Sequence, residues 1–471
     1  MRHFPIIAAI LVAAVLAPVA SSADRMWIGF HDDPVLRYDA PDTKASEMEI
    51  ATKTNKATIL RTRVTWANIA PTKPANAANP NDPAYNFNDL DDFVRNAQLQ
   101  DAEVLMTIWG TPKWANGGKT PNYLPTSMSS FQNFAKALAT RYSGRTAGLP
   151  FVRFFGIWNE SNLGQFLSPQ FNSSGKIVSP AAYAKLAAAG YAGIKAGSSK
   201  ALVAIGETSS NGRNKPKAGA SDSVRPGTFA EGVAKANKHL KFDAWAHHPY
   251  PVPVNGKPTQ KVQWPNVALT SLPQFETSID KWFGRKNIPV WITEYGNETK
   301  PGEPTGVTEA QQATYVTQAI DIAKKDPRVP MFIWFVMQDS TGSLWQSGVY
   351  RKDGSAKPSR AKFAAAAGPL NATNSKQSVK GGTKNPLVTV YLRSFCSNNP
   401  VGAKIGFTVV TKLGGKQIAI AQPQSTLAID CTSAFNLTGV TIAKGKTYTV
   451  AVEANTRNGN FLNRTITIVG V

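Results

Sequence analysis

Short apolar runs alternate with longer stretches of helical spacing along most of this chain, and the alternation repeats eight times. Residues 25–30, 57–61, 103–109, 201–206, 242–247, 288–293 and 331–336, with the run from Phe151 that ends in Trp158-Asn159-Glu160, are rich in β-branched and aromatic residues. Too short for helices, they read as strands buried on both faces. Helical spacing fills the gaps at 43–54, 88–100, 127–141, 180–196, 228–238, 273–283, 309–325 and 359–367, where Pro180 suits a first turn. Eight strands alternating with eight helices predict an α/β fold, a closed parallel (β/α)8 TIM barrel. A doubly wound open sheet has the same alternation, but no strand here leads into a Gly-rich phosphate turn. The character changes at Gly368. Residues 371–384 are small, polar and basic without an apolar period, and beyond them six stretches (387–392, 403–410, 417–421, 425–430, 447–453 and 463–469) alternate apolar and polar positions. The resulting division is a barrel over 24–368, a flexible linker over 369–384 and a small C-terminal β-sandwich over 385–471.

In such a barrel every strand's carboxyl end faces one mouth, so polar residues closing the strands should converge there. The fourth strand closes on Glu160, and the seventh, Ile288-Pro-Val-Trp-Ile-Thr-Glu294-Tyr-Gly-Asn297, closes on a second glutamate. A helix N-cap would use Asn159 or Glu160 just as well. Two carboxylates delivered by distant strands favour chemistry: glycosidic cleavage needs one group to protonate the leaving oxygen and one to attack or stabilise the sugar cation. Arg61, closing the second strand, would hold a neighbouring carboxylate ionised, and Arg63 competes for that assignment. His247-His248-Pro-Tyr250 closes the sixth. Adjacent strand residues face opposite ways, so one histidine reaches the mouth. The pair has no further histidine or carboxylate spacing that would support a metal site.

Trp-Asn-Glu closing one strand and Ile-Thr-Glu-Tyr-Gly closing a later one resemble the signatures of clan A glycoside hydrolases. The likeness covers roughly residues 27–366 and is strongest to family 39, with family 5 as neighbour. It implies a retaining double displacement without metal or cofactor, with Glu160 as acid/base and Glu294 as nucleophile. It further implies that Arg61 orients the nucleophile, that Asn159 meets the sugar 2-hydroxyl, and that His248, by its fit to His-Pro-Tyr, and Tyr250 lie near the nucleophile. Trp334 is the expected sugar platform, chosen from Trp109, Trp114, Trp158, Trp264 and Trp334. Residues 345–359 resemble the family segment between strand eight and its helix. A non-catalytic glycan-binding protein on the same barrel is the rival reading.

Composition adds surroundings to this picture. The start joins a basic head, an apolar stretch over 6–16 and small residues up to Ala23, the pattern of a secretory signal peptide over 1–23. No later stretch is long and apolar enough for a transmembrane helix. The only two cysteines, Cys396 and Cys431, are expected to form one disulfide within the C-terminal sandwich of an exported protein, and they leave no cysteine ligand set for zinc. The formal net charge of +22 points to anionic surroundings. Nucleic acid is discounted for want of any recognition motif, leaving acidic glycans or the cell envelope as partners. Basic loops at 206–217, Arg225, Lys257 and Lys261, and eight cations against two acids over 385–471, favour an anionic polysaccharide, with neutral β-glucan or xylan as the alternative. Oligomeric state leaves no trace in the sequence.

Overall fold

The computed structural model describes residues 26–100, 102–340, 345–370, 374–392, 402–428, 432–455 and 461–471. Its centre is a closed barrel of eight parallel strands: β1 (Trp27–His31), β2 (Ile59–Thr65), β3 (Glu103–Trp109), β4 (Phe154–Ile157), β5 (Leu202–Ser209), β6 (Ala244–His248), β7 (Val290–Tyr295) and β8 (Met331–Phe335). Eight helices follow them in turn among the described residues: α1 (Pro41–Glu49), α2 (Asn88–Leu99), α3 (Met128–Arg141), α4 (Ser179–Gly197), α5 (Pro226–Ala236), α6 (Leu272–Phe283), α7 (Glu309–Lys325) and α8 (Pro358–Leu370). The expected TIM barrel is therefore present, with boundaries shifted by a few residues. Proline stands in the first turn of α1, α4, α5 and α6, where its missing N–H breaks no bond. Helix α7 starts on a reciprocal cap between Thr308 and Gln311.

The period of two along the strands divides the barrel interior into layers. Trp27, Ile59, Leu105, Phe154, Ala204, Ala246, Trp291, Met331 and Ile333 share one apolar cluster inside the barrel. Phe154 meets Trp27 and Trp291 edge-on at 5.0 and 5.3 Å between ring centres. Two residues further along the same strands stand Arg61, Thr107, Gly156, His248 and Thr293, and His31 stands four beyond Trp27, so an apolar floor gives way to a polar layer at the mouth. The alternate residues, among them Ile28, Leu60, Trp245, Ile292 and Trp334, belong to the cluster packed against the helices.

The C-terminal domain is a β-sandwich. A five-stranded sheet, in the order Lys416–Ala421, Thr408–Leu413, Thr447–Asn455, Phe461–Gly470, Asn374–Val379, accompanies the two-stranded pairs Leu387–Tyr391 with Thr432–Asn436 and Lys404–Gly406 with Gln424–Thr426. Val388, Phe435, Val450, Val452, Ile466 and Ile468 are among its buried residues. The stretch 369–384, expected as a linker, departs from that reading. Helix α8 runs to Leu370, and Asn374–Val379 pairs in parallel with Phe461–Gly470 at the edge of the sheet. A polar edge strand held by ladder bonds shows no apolar period, which is why the pattern missed it. Cys396 and Cys431 lie outside the described residues, as does the expected signal peptide. No helix among the described residues is long and apolar enough to cross a membrane.

Candidate active site

Arg61 sits at the middle of the polar layer, fully buried. Its Nη1 donates to Oε1 of Glu294 and reaches His31 Nδ1 at 2.7 Å; Nη2 donates to Asn159 Oδ1 at 2.9 Å and Glu207 Oε2 at 3.2 Å; Nε donates to Thr107 Oγ1 at 2.9 Å. A guanidinium has no acceptor, so the His31 nitrogen facing it must accept. His248 occupies the other side of the cluster. Its Nδ1 lies 3.1 Å from Glu160 Oε1 and 3.5 Å from Glu294 Oε2, and its Nε2 lies 3.1 Å from Glu207 Oε2. Tyr250 donates to Glu294 Oε2 at 3.3 Å. One oxygen each of Glu160 and Glu294 and a ring nitrogen of His248 lie within 4.8 Å of one another.

These neighbours separate the two glutamates chemically. Burial works against charge on Glu294, but His248 and Arg61 outweigh it and hold this carboxyl well below the usual carboxylate range. Glu294 therefore stands ready as an anion. Glu160 is paired instead with His248, whose Nδ1 lies 3.1 Å from its Oε1. Burial also opposes charge on His248, yet Glu294, Glu160 and Glu207 push its imidazole up to about 9. Both glutamates line a cleft of about 820 Å³. Around them the lining includes His31, Asp33, Arg63, Asn159, Arg213, Asp222, Tyr250, Phe335 and Trp345. Backbone strain marks the same place: Trp158, Glu160 and Glu207 have φ of 72°, 37° and 45°, a region that non-glycine residues occupy mainly where surrounding structure enforces it.

The sequence matches the family model for cellulase (glycosyl hydrolase family 5) over residues 26–340. The chain belongs to glycosyl hydrolase family 5. The match spans β1 to the end of β8 and covers both glutamates, and it takes the family noted from the motifs as a neighbour rather than family 39. Family 39 appears among similar folds. A family 39 glycoside hydrolase from the gut symbiont Bacteroides cellulosilyticus WH2 superposes with a TM-score of 0.54 at 19% identity, covering 89% of this chain and 82% of that one. A GH5_18 structure from Streptomyces cattleya, in complex with GlcNAc, gives 0.52 at 14% identity over 77% and 85%. No curated protein matches the sequence. The chain is thus a clan A glycoside hydrolase by family and by fold.

Within this family 5 barrel, Glu160, Glu294, Arg61, Asn159, His248 and Tyr250 are brought together as anticipated. Arg61 rather than Arg63 binds Glu294; Arg63 lines the cleft with its guanidinium 5.4 Å from the Trp109 ring centre. His247 faces away, bonded to Thr208 Oγ1 and Val267 O, and burial pulls it down to about 3, so it stays neutral. Trp334 is a correction. Its position has the parity of the outer face, it is fully buried, and its Nε1 donates to Ser347 O at 2.8 Å. The cleft takes Phe335 and Trp345 instead, and none of Trp109, Trp114, Trp158, Trp264 or Trp334 is among the described residues lining it. Trp345 meets Tyr250 edge-on at 5.3 Å. Two members of the cluster escaped sequence reasoning. His31 could have been found as the polar residue closing β1. Glu207 could not, because the β5–β6 register shifts between Gly206 and Thr208, and that irregularity turns inward a residue the period of two assigns outward.

Proposed function

We propose that the protein is an exported retaining glycoside hydrolase that cleaves a polysaccharide by double displacement. The closeness of the Glu160 and Glu294 oxygens, within 4.8 Å, carries the reading. Retention works with carboxyl groups about 5–5.5 Å apart, whereas inversion needs about 6.5–9.5 Å to admit a water. Glu294, held ionised by Arg61 and His248, attacks the anomeric carbon while Glu160 gives its proton to the leaving oxygen. Glu160 then deprotonates the water that hydrolyses the glycosyl-enzyme. Asn159, its oxygen engaged by Arg61, is left with its amide nitrogen to meet a sugar hydroxyl. A cleft lined by both carboxylates argues against a purely binding role.

For the substrate, the basic surface and the basic amino-terminal head with its apolar run favour an exported enzyme acting on an acidic or envelope polysaccharide. One observation favours a neutral β-glucan or xylan as second reading. Arg63 and Arg213 share the cleft lining with Asp33, Asp222, Glu160 and Glu294, so the cleft itself holds no excess of cations, and Arg225, Lys257 and Lys261 are not among the lining residues. The test is a panel of 4-nitrophenyl β-glycosides, neutral oligosaccharides and uronate-containing polysaccharides at two salt concentrations, with NMR of the first-formed anomer. Retained configuration is expected, together with a loss of kcat of about 10⁴-fold or more in Glu294→Ala. An inverted anomer, or full activity in that variant, sinks the mechanism; salt-insensitive turnover of neutral glycans alone selects the second substrate.

A further inference from the structure

The stretch that follows β7 carries a carboxylate with no part in the double displacement. Glu298 stands four residues beyond the nucleophile, is buried, and is not among the residues lining the cleft. Both its oxygens accept: Oε1 takes the backbone N–H of Gln346 at 3.1 Å, and Oε2 the side-chain amide of Asn255 at 3.4 Å. Asn255 closes a ring, since its Oδ1 accepts from the backbone N–H of Glu298 at 2.7 Å. Thr299, the next residue, donates its backbone N–H to Gln346 O at 3.0 Å. Both main-chain groups of Gln346 are therefore fastened to the pair Glu298-Thr299. Asn297 adds a bond to the loop after β6, from Nδ2 to Gly256 O at 3.1 Å.

These bonds fasten the wall of the cleft. Gln346 directly follows Trp345 on the loop after β8, and Asn255 directly follows Val252, Pro253 and Val254 on the loop after β6; all four of those neighbours line the cleft. On the cleft side the Trp345 ring meets Tyr250 at 5.3 Å and Phe335 at 6.2 Å between centres, and Tyr250 in turn donates to Glu294. Ring contacts tolerate sliding, whereas hydrogen bonds are directional and a buried donor left unmet is costly. The side chain of Glu298 thus ties two lining loops together from an extension of the strand that delivers the nucleophile. Its chemical type matters, because both groups facing it are N–H donors. An amide in its place meets one of them and turns its own N–H against the other.

We propose that Glu298 is a positioning residue for substrate: it holds Trp345 against the β6 loop and at a set place beside the nucleophile, and so governs sugar binding without touching the sugar. This rests on the glycosidase reading above.

Steady-state kinetics on the best glycan of the panel test it. Glu298→Gln should raise KM about three- to tenfold and leave kcat within about threefold, the pattern of binding lost equally from ground and transition states. In a Trp345→Ala background the same substitution should change KM by less than about twofold, because the group it places is gone. Asn255→Asp combined with Glu298→Gln exchanges donor and acceptor across the pair, and should bring KM back to within about twofold of wild type. A second readout needs no substrate. In ¹⁹F NMR of protein labelled with 5-fluorotryptophan, the Trp345 resonance, assigned by its loss in Trp345→Phe, should move or broaden in Glu298→Gln and return in the exchanged pair. The resonance of fully buried Trp66, assigned in the same way, should stay in place. If Glu298→Gln does not fold, Asn255→Gly carries the same expectations for KM and for the Trp345 resonance, since glycine keeps the left-handed backbone there (φ 70°) and removes both side-chain bonds. A fall in kcat as large as the rise in KM, an undiminished effect without Trp345, no rescue by the exchange, or an unmoved Trp345 resonance would overturn the proposal. Absence of wild-type turnover on every glycan overturns the glycosidase reading instead, and the fluorine spectra then decide the positioning alone.

Discussion

At the scale of single residues, what matters is which neighbours each side chain meets rather than which type it is. Glu160 and Glu294 are the same amino acid, but Glu294 binds Arg61 and Glu160 does not. The two tryptophans of the β8 region make the same point. Trp345 lines the cleft, so Trp345→Ala should raise KM about tenfold, equivalent to ~1.4 kcal/mol of lost stacking, with little change in melting temperature. Trp334 is fully buried against Tyr295 and bonded to Ser347, so Trp334→Ala should cost about 3–5 kcal/mol in urea unfolding while the folded fraction keeps its KM. A KM effect confined to the Trp334 variant would reverse these assignments.

At the scale of elements, two strand irregularities aim the chemistry. Pairing shifts between Gly206 and Thr208 on β5, and between Ile292 and Tyr295 where β7 meets β8. The first turns Glu207 inward and the second delivers Glu294, a use of bulges common beside active sites. Gly206 makes the first one possible. Its φ is +95°, and a Cβ there would lie 2.4 Å from the Trp245 ring. Gly206→Ala should therefore destabilise by more than about 1–3 kcal/mol. Because the shift also places Glu207, kcat should fall in the fraction that remains folded; unchanged stability by chemical denaturation would contradict this account. Elsewhere the elements follow local rules. Thr308→Ala, which removes the α7 cap, should cost about 1 kcal/mol in the same assay and leave activity untouched.

For the whole molecule, buried histidines set opposite limits on stability with pH. His247 is held neutral, with its folded value pulled down to about 3 by burial. The stability it contributes is complete above its ordinary value of about 6.5 and is lost as pH falls from there toward 3. His248, pushed up to about 9 against burial by Glu294, Glu160 and Glu207, contributes stability that is complete below about 6.5 and is lost as pH rises through 9. Burial raises Asp32 and Glu103 to about 7 each, which removes further stability as pH climbs toward neutrality and draws the optimum to the acid side. A calorimetric pH series should thus give the highest melting temperature in mildly acid to neutral solution. His247→Asn should flatten the acid side alone; an acid limb as steep in that variant as in wild type would refute the assignment.

The alternation of short apolar runs with amphipathic stretches was enough to predict the barrel, because strands buried on both faces and helices buried on one leave different periods in the chain. It was enough also for Glu160, Asn159, Glu294, His248 and Tyr250, since polar residues that end a buried apolar run have nowhere to go but the mouth. Three things required the folded molecule. Parity along β8, which sends Phe335 into the cleft and Trp334 to the helices, depends on how the sheet closes, and a strand apolar on both faces carries no mark of which face is inner. The strand at Asn374–Val379 is held by backbone bonds that any polar sequence can make. Glu207 enters the site through a register shift with Gly156 opposite, and a match between strands distant in the chain is written in neither one alone.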